Sequence, residues 1–409
     1  MSGDTTVHAG GPSGQARSTP SDDGAWDRFV AADPLATYLQ VAAWARVKQP
    51  NGWRARRVVA WTSAEATEAG EPRLGWDIGG QLLLQRPRLV PWTFAYAPRG
   101  PLVGRWSADA VGRWTDALRS TDWGERVAHV RMDPEVEAGG PTDTDGSLVA
   151  ALVSAGWEPA PTVQPKVTRV VDLRADEAAL WSGLRKKWRQ YVNKARAGGV
   201  TVTEVGAEAL PLFHEMMAET AIRAGTRIRA ESAYRDVWDA YAPSGDARLL
   251  FAIGPDGTPE AALFLLRCGA RVVEPYGGMT AAGAASRANY LVKWEAIRSA
   301  HDAGAVSYDM WGLVHPGIRQ FKAGFGGREI ELIGAWDLPL DRVGATSYHL
   351  AERIRERSRR RSAHREPPLR PAISDGGPQD DHKDGHEDDR VEDDRVDGDR
   401  GRDVPAGVP

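Results

Sequence analysis

The sequence has one cysteine, Cys268, which excludes a disulfide framework within the chain and leaves no thiolate set for a structural zinc. No apolar run approaches the roughly 18 residues of a membrane span. The first residues, "MSGDTTVHAGGPSGQARSTPSDDG", lack the basic, apolar, small-residue order of a secretory signal, so a cytoplasmic protein is expected. Large net charge is missing too: the formal value is −4, and nothing global demands nucleic acid or membrane. The stretch 374–409 is almost free of large apolar groups and repeats an Asp-Asp-Arg-Val unit. It cannot bury enough surface to fold and reads as a solvated acidic tail.

What is present belongs to a globular protein, with 42% hydrophobic and 26% charged residues. A chain of 409 residues exceeds one ordinary core and implies two domains plus tails. Strand-like runs at 54–62, 81–90, 248–254, 261–268 and 329–340 alternate with helical periodicity at 181–199, 210–225 and 288–304. That alternation is the pattern of an α/β architecture. One order of elements also recurs. "FAYAPRGPLVG", "VGRWTDALRS" and "VAHVRMDPE" are echoed by "VEPYGGMTAAG", "LVKWEAIRSA" and "AVSYDMWGL". Tyr96, Trp114 and Met132 correspond to Tyr276, Trp294 and Met310, which argues for two copies of one βαβ-containing fold.

Candidate chemistry concentrates in a few segments. "FKAGFGGREIELIG" sets Lys322 beside Phe321 and three glycines, with no cysteine, histidine or serine nucleophile next to it. The glycines lead into a strand, so no helix N-terminus follows to cradle a nucleotide phosphate. "TAAGAASRANYLVKW" (280–294) is a glycine turn before a helix, the place where acetyltransferases receive a CoA pyrophosphate. It lacks the Arg/Gln-x-x-Gly-x-Gly/Ala pattern of that binding. "LRKKWRQYVNKAR" (184–196) carries Arg185, Lys186, Lys187, Arg189, Lys194 and Arg196 without one acid. Leu184, Trp188, Tyr191 and Ala195 form its expected buried stripe. The cations are either a solvated helix face or a surface for an anion, and an RNA backbone fits better than one small phosphate. Lys48 lies between Trp44 and Trp53 before a turn, and Arg229 precedes Tyr234; a cation with aromatic walls suits a base or sugar beside a phosphate, and Lys and Arg also routinely sit at helix or strand ends. The basic stretch 349–365 reads as a solvated helix or a tRNA or membrane-surface contact.

Together "YLQVAAWARVKQPNGW", "LRKKWRQYVNKARAGGV", "GTRIRAESAYRDVW", "PYGGMTAAGAASRANYLVKWEAIRSAHDAGAVSYDMWGL" and "IRQFKAGFGGREIELIGAWDLPL" resemble the Fem family (FemABX) of peptidyltransferases, in family order from about residue 38 to 340. The resemblance implies two GNAT-like domains. The expected organisation is a disordered tail (1–24), a first domain (25–165, completed by a returning strand at 329–345) and a second (166–328). A basic helical extension (346–365) and a disordered acidic tail (366–409) follow. The resemblance also implies that Lys48 and Arg229 clamp a precursor diphosphate. Trp53, Tyr234, Tyr276 and Phe321 would line the substrate, and Lys322 would face the aminoacyl-tRNA end and the reacting ester. Arg185, Lys186, Lys187, Arg189 and Lys194 become candidates for gripping tRNA. Ala233 stands where the family usually has an aromatic, with Tyr234 next to it, and no long coiled-coil arm interrupts the second domain.

The activity implied is transfer of an amino acid from aminoacyl-tRNA to the side-chain amine of a peptidoglycan stem peptide, on lipid II or its UDP-linked precursor. No cofactor or metal is called for, and a monomer is expected, with transient contact at the inner membrane surface. The Arg- and Ala-rich composition goes with high-GC bacteria, and glycine is the expected cargo on that association alone. An ester is already activated, so an amine can attack it without a covalent enzyme intermediate. Alignment, amine deprotonation and oxyanion stabilisation suffice, with Lys322 supplying positive charge and the general base unassigned. The alternatives are tRNA-dependent transfer in natural-product assembly, an acyl-CoA-dependent N-acyltransferase and a non-catalytic RNA- or precursor-binding module.

Overall fold

Cap residues and turns divide the chain into its elements in the computed structural model, which describes residues 22–61, 76–88, 90–225, 228–313 and 315–363. Most of the two expected tails, 1–21 and 364–409, lies outside the described residues. The first half runs α1 (Asp23–Ala32), α2 (Ala42–Lys48), β1 (Arg54–Trp61), β2 (Trp76–Gln85), β3 (Thr93–Ala97), β4 (Leu102–Val103), α3 (Ala108–Ser120), β5 (Val127–Met132), α4 (Ser147–Ser154) and β6 (Glu158–Ala160). The second continues with β7 (Val167–Asp172), α5 (Glu177–Gly183), α6 (Lys186–Ala197), β8 (Thr201–Val205), α7 (Leu210–Ala224), α8 (Glu231–Tyr241), β9 (Ala247–Ile253), β10 (Pro259–Cys268) and β11 (Arg271–Met279). It closes with α9 (Ala281–Ser286), α10 (Ala288–Asp302), β12 (Ser307–Asp309), α11 (Pro316–Ala323), β13 (Arg328–Glu331), β14 (Ala335–Pro339) and α12 (Arg342–Ala363).

Two seven-stranded sheets result, ordered β1-β2-β3-β5-β14-β6 with β4 on β2, and β13-β7-β12-β11-β10-β9-β8. The repeat read from the sequence is visible in them. β3, α3 and a parallel β5 are matched by β11, α10 and a parallel β12. Trp114 and Trp294 fill equivalent core positions at 1% exposure each. The sheets also exchange strands. β6 stays with the first sheet while β7, next in the chain, pairs with β12 of the second. β13 stays with the second while β14 crosses back between β5 and β6. A shared apolar core joins Tyr38, Trp44, Val47 and Leu83 to Leu249, Phe264 and Val273. Burying that seam between the sheets fixes the walls of a cleft.

Four sequence readings need correction. The helix expected over 181–199 is two helices, α5 and α6. Leu184 and Arg185 between them are extended, because the Arg185 amide donates to the Gly324 carbonyl at 2.9 Å instead of continuing the helix. The buried stripe of α6 runs through Trp188, Val192 and Ala195, with Tyr191 only half-buried. The strand expected over 329–340 is broken at Gly334, whose φ of +88° turns the chain from one sheet into the other. The strand expected over 81–90 spans 76–85 and ends before Arg86-Pro87, since proline has no amide to donate.

Candidate functional site

Lys48 ends α2, where the helix tightens and turns through Gly52 at φ +78°. Its ammonium sits 4.5 Å from the centroid of the Trp44 ring. It opens onto a cavity of about 390 Å³ lined also by Trp53, Tyr96, Arg229, Tyr276 and Trp311. Among the described residues neither Lys48 nor Arg229 forms a carboxylate ion pair. Burial, and then the Arg229 charge, push the Lys48 pKa down to about 8. Two cations that repel each other, Lys48 half-buried and Arg229 exposed at the cavity wall, are stabilised by an anion placed between them. Arg131 on the same wall is a different case: Asp337 takes it bidentately at 2.8 Å and Glu352 at 3.0 Å, so its charge is already spent on structure.

Tyr276 and Trp311 are shared with a second cavity of about 590 Å³. Its other lining groups include Glu274, Asn289, Lys293, Phe321 and Lys322. Lys322 lies in the last turn of α11, not on the glycine corner itself. Each ammonium proton has a carbonyl acceptor: Met310 O at 2.6 Å, Gly312 O at 3.0 Å and Trp311 O at 3.2 Å. Burial, then the Lys293 charge, lower its pKa to about 8. Those carbonyls belong to the turn in which Trp311 takes φ +58°, a conformation that costs a bulky residue of order 1–3 kcal/mol. The Trp311 amide is held as well, donating to Asp309 Oδ1 at 2.7 Å. Lys322 therefore clamps the partition between the two cavities.

Sequence reasoning missed Lys293 and Glu274. They form a buried ion pair in the second cavity, and the Tyr308 hydroxyl donates to Glu274 at 2.6 Å. A signal was there: Lys293 shares the helical stripe of Tyr290 and Ile297, a position facing the interior. Of the aromatics expected at the substrate, Trp53 and Tyr276 line the first cavity and Phe321 the second. Tyr234 lines neither. It is 2% exposed and packs edge-on behind Tyr276, with centroids 5.1 Å apart, so it supports the wall from the core side.

The acid-free helix is fastened to the helix bearing Lys322. Trp188 Nε1 donates to the Phe321 carbonyl at 3.0 Å. A Cβ on Gly324 would approach Trp188 to 2.2 Å, which is why glycine is needed there. Arg185, Lys186, Lys187 and Lys194 are exposed and Arg189 is partly so. Arg185 shares a surface depression with Arg169 and Arg319 on the flank of α11. Arg196 is paired with Glu295 at 2.7 Å. Among the described residues, His129, Asp337 and His349 place ligand atoms within 4.8 Å of one another. Arg131 already occupies both Asp337 oxygens, an arrangement suited to an ion-pair network and adverse to a metal cation.

Comparison with known proteins adds family information. The FemAB family matches residues 22–255 and 248–353. Lipid II:glycine glycyltransferases of Staphylococcus aureus, from strains MRSA252 and USA300, are each 27% identical over 227 residues, covering 54% of this chain and 52% of theirs. The chain thus matches about half the length of these curated relatives. The crystal structure of FemX shares the fold, with a TM-score of 0.71 at 21% identity over 81% of this chain and 98% of that one.

Proposed function

The chain belongs to the FemAB family, and from that footing we propose that it transfers an amino acid, glycine by preference, from aminoacyl-tRNA to the side-chain amine of a peptidoglycan stem peptide. The acceptor is carried on lipid II or its UDP-linked precursor, and the product is the start of an interpeptide bridge. The observation that carries this reading is the pair of adjoining cavities that share Tyr276 and Trp311 as wall. One has two cations without carboxylate partners among the described residues, Lys48 and Arg229, and the other has Lys322 across the Tyr276–Trp311 partition. The first suits a diphosphate and the second the aminoacyl ester. The preference for glycine leans on the glycyltransferases that the chain resembles.

In the reaction the neutral stem amine attacks the ester carbonyl. A C–N bond forms, the tetrahedral oxyanion collapses, and the C–O bond to the terminal ribose breaks. The amine proton ends on the released ribose hydroxyl, so no covalent enzyme intermediate and no cofactor enter the balance. Alignment of two bound reactants can supply roughly 7–11 kcal/mol of barrier reduction. Because the three Lys322 protons are engaged by carbonyls, its help to the oxyanion is the field of a buried charge plus the fixed position of Trp311. The exposed cations Arg185, Lys186, Lys187 and Lys194, with the partly exposed Arg189, lead the tRNA backbone toward α11.

The test is a transfer assay with purified precursor and radiolabelled donor. Label should pass from charged tRNA and not from acetyl-CoA, and Lys48→Ala should weaken precursor binding by roughly 1.5–3 kcal/mol. Transfer from acetyl-CoA alone overturns the reading. Precursor binding without transfer from either donor would make the chain a binding module.

A further inference from the structure

α12 has two faces of opposite character. Its inner face closes the first cavity: Tyr348 stacks on Phe94 with centroids 5.0 Å apart, His349 bonds Asp337 at 2.9 Å and Glu352 pairs with Arg131 at 3.0 Å. Tyr348 and Glu352 line the cavity that holds Lys48 and Arg229. The outer face carries Val343, Leu350 and Ile354, exposed by 64%, 58% and 58%. Their spacing of seven and four residues aligns them in one stripe along the helix. Arg342 and Arg353 are exposed on the same helix. Glu352, the acid described on α12, is turned to the inner side by its pair with Arg131. Among the described residues the outer face is therefore apolar and basic, with no acid.

We propose that this outer face of α12 is a docking surface for an anionic lipid bilayer. An apolar stripe flanked by arginines is what an interfacial helix needs to lie in a headgroup layer. Tertiary packing does not explain three large apolar side chains left bare on one stripe, and the surrounding arginines complement negative lipid. One helix diameter, about 10 Å, separates that face from the cavity. A docked helix thus brings Lys48 and Arg229 to the depth where the diphosphate of a lipid-linked substrate emerges. The inference rests on the proposed function only for the reason that a lipid-linked substrate lies there.

The test uses the full chain with vesicles containing no precursor, of phosphatidylcholine alone or doped with phosphatidylglycerol. Binding to the doped vesicles should weaken with salt. The Leu350→Glu/Ile354→Glu variant should lose tenfold or more in vesicle affinity, and Arg353→Glu should lose at least about fivefold. Both should transfer to a soluble UDP-linked precursor as the parent chain does. Parent-like vesicle binding by both variants overturns the proposal. So does a concentration-dependent dimer that the double variant abolishes, or a loss confined to tRNA binding. Absent transfer by the parent chain, with vesicle binding intact, would count against the proposed function and leave the docking surface standing.

Discussion

When a diphosphate enters the first cavity, Lys48 should take up a proton. In the free chain, burial and the neighbouring Arg229 hold its pKa near about 8, against 10.5 for an unperturbed lysine. A diphosphate in hydrogen-bond reach favours the ammonium, so the pKa rises in the complex. Below about pH 8 the free side chain is already charged and affinity should be level. Above it, binding must bring the proton along, so affinity falls about tenfold per pH unit, about 1.4 kcal/mol, until the bound-state pKa is reached. Titration calorimetry of the UDP-linked precursor, in buffers of different ionisation enthalpy, reads both effects. Uptake should be about half a proton at pH 8 and close to one at pH 9. Lys48→Arg keeps the charge but does not titrate in this range, so this uptake should vanish and the affinity should lose this slope. Lys322 also titrates near pH 8, and the arginine variant separates the two. Level affinity with no uptake in the parent chain, or the same slope in Lys48→Arg, would refute the diphosphate assignment.

The same depressed pKa sets a stability difference in the empty protein. Below about pH 8 the folded chain bears the cost of a half-buried ammonium, and that cost fades as pH rises toward 10.5, so Lys48→Met should be more stable than the parent at pH 7 by about 1–3 kcal/mol in urea unfolding, with the gap closing at high pH; a less stable variant at pH 7 contradicts this. Lys322→Met should lower the turnover number by roughly 10²–10³ while leaving precursor affinity in calorimetry unchanged, since it removes buried charge and the clamp on Trp311; a loss of precursor affinity alone would move Lys322 out of the transfer step. Reversing Lys186 and Lys187 to glutamate should raise the Michaelis constant for charged tRNA and flatten its salt dependence, with precursor affinity as in the parent; an equal effect on both substrates points to misfolding.

Much of this arrangement was legible in the residues because it rests on local pattern. Lys48 before the Gly52 turn, Tyr276 in its glycine-rich strand and the Trp114–Trp294 correspondence all follow from short segments whose neighbours in sequence are neighbours in space. What escaped depends on contacts across the fold. The break between α5 and α6 comes from an amide donating to Gly324, far along the chain. Lys322 was expected to offer a free charge, yet three carbonyls ten to twelve residues earlier occupy it. Tyr234 follows Arg229 by five residues, but α8 turns it inward with Val237 and Tyr241, a helical period that could have warned of burial. Glu274 and Lys293 are ordinary charged residues until the sheet and α10 bring them together.

The central claim is that the acceptor's diphosphate rests on Lys48 and Arg229 while its amine reaches past Trp311 toward Lys322. A crystal structure with the UDP-linked precursor bound tests it most directly. Diphosphate oxygens should lie within hydrogen-bond distance of Lys48 Nζ and the Arg229 guanidinium, with the stem amine beside Tyr276 and Trp311 at the mouth of the second cavity. A diphosphate seated instead against Lys293 and Lys322, or a stem peptide running away from Trp311, would contradict it.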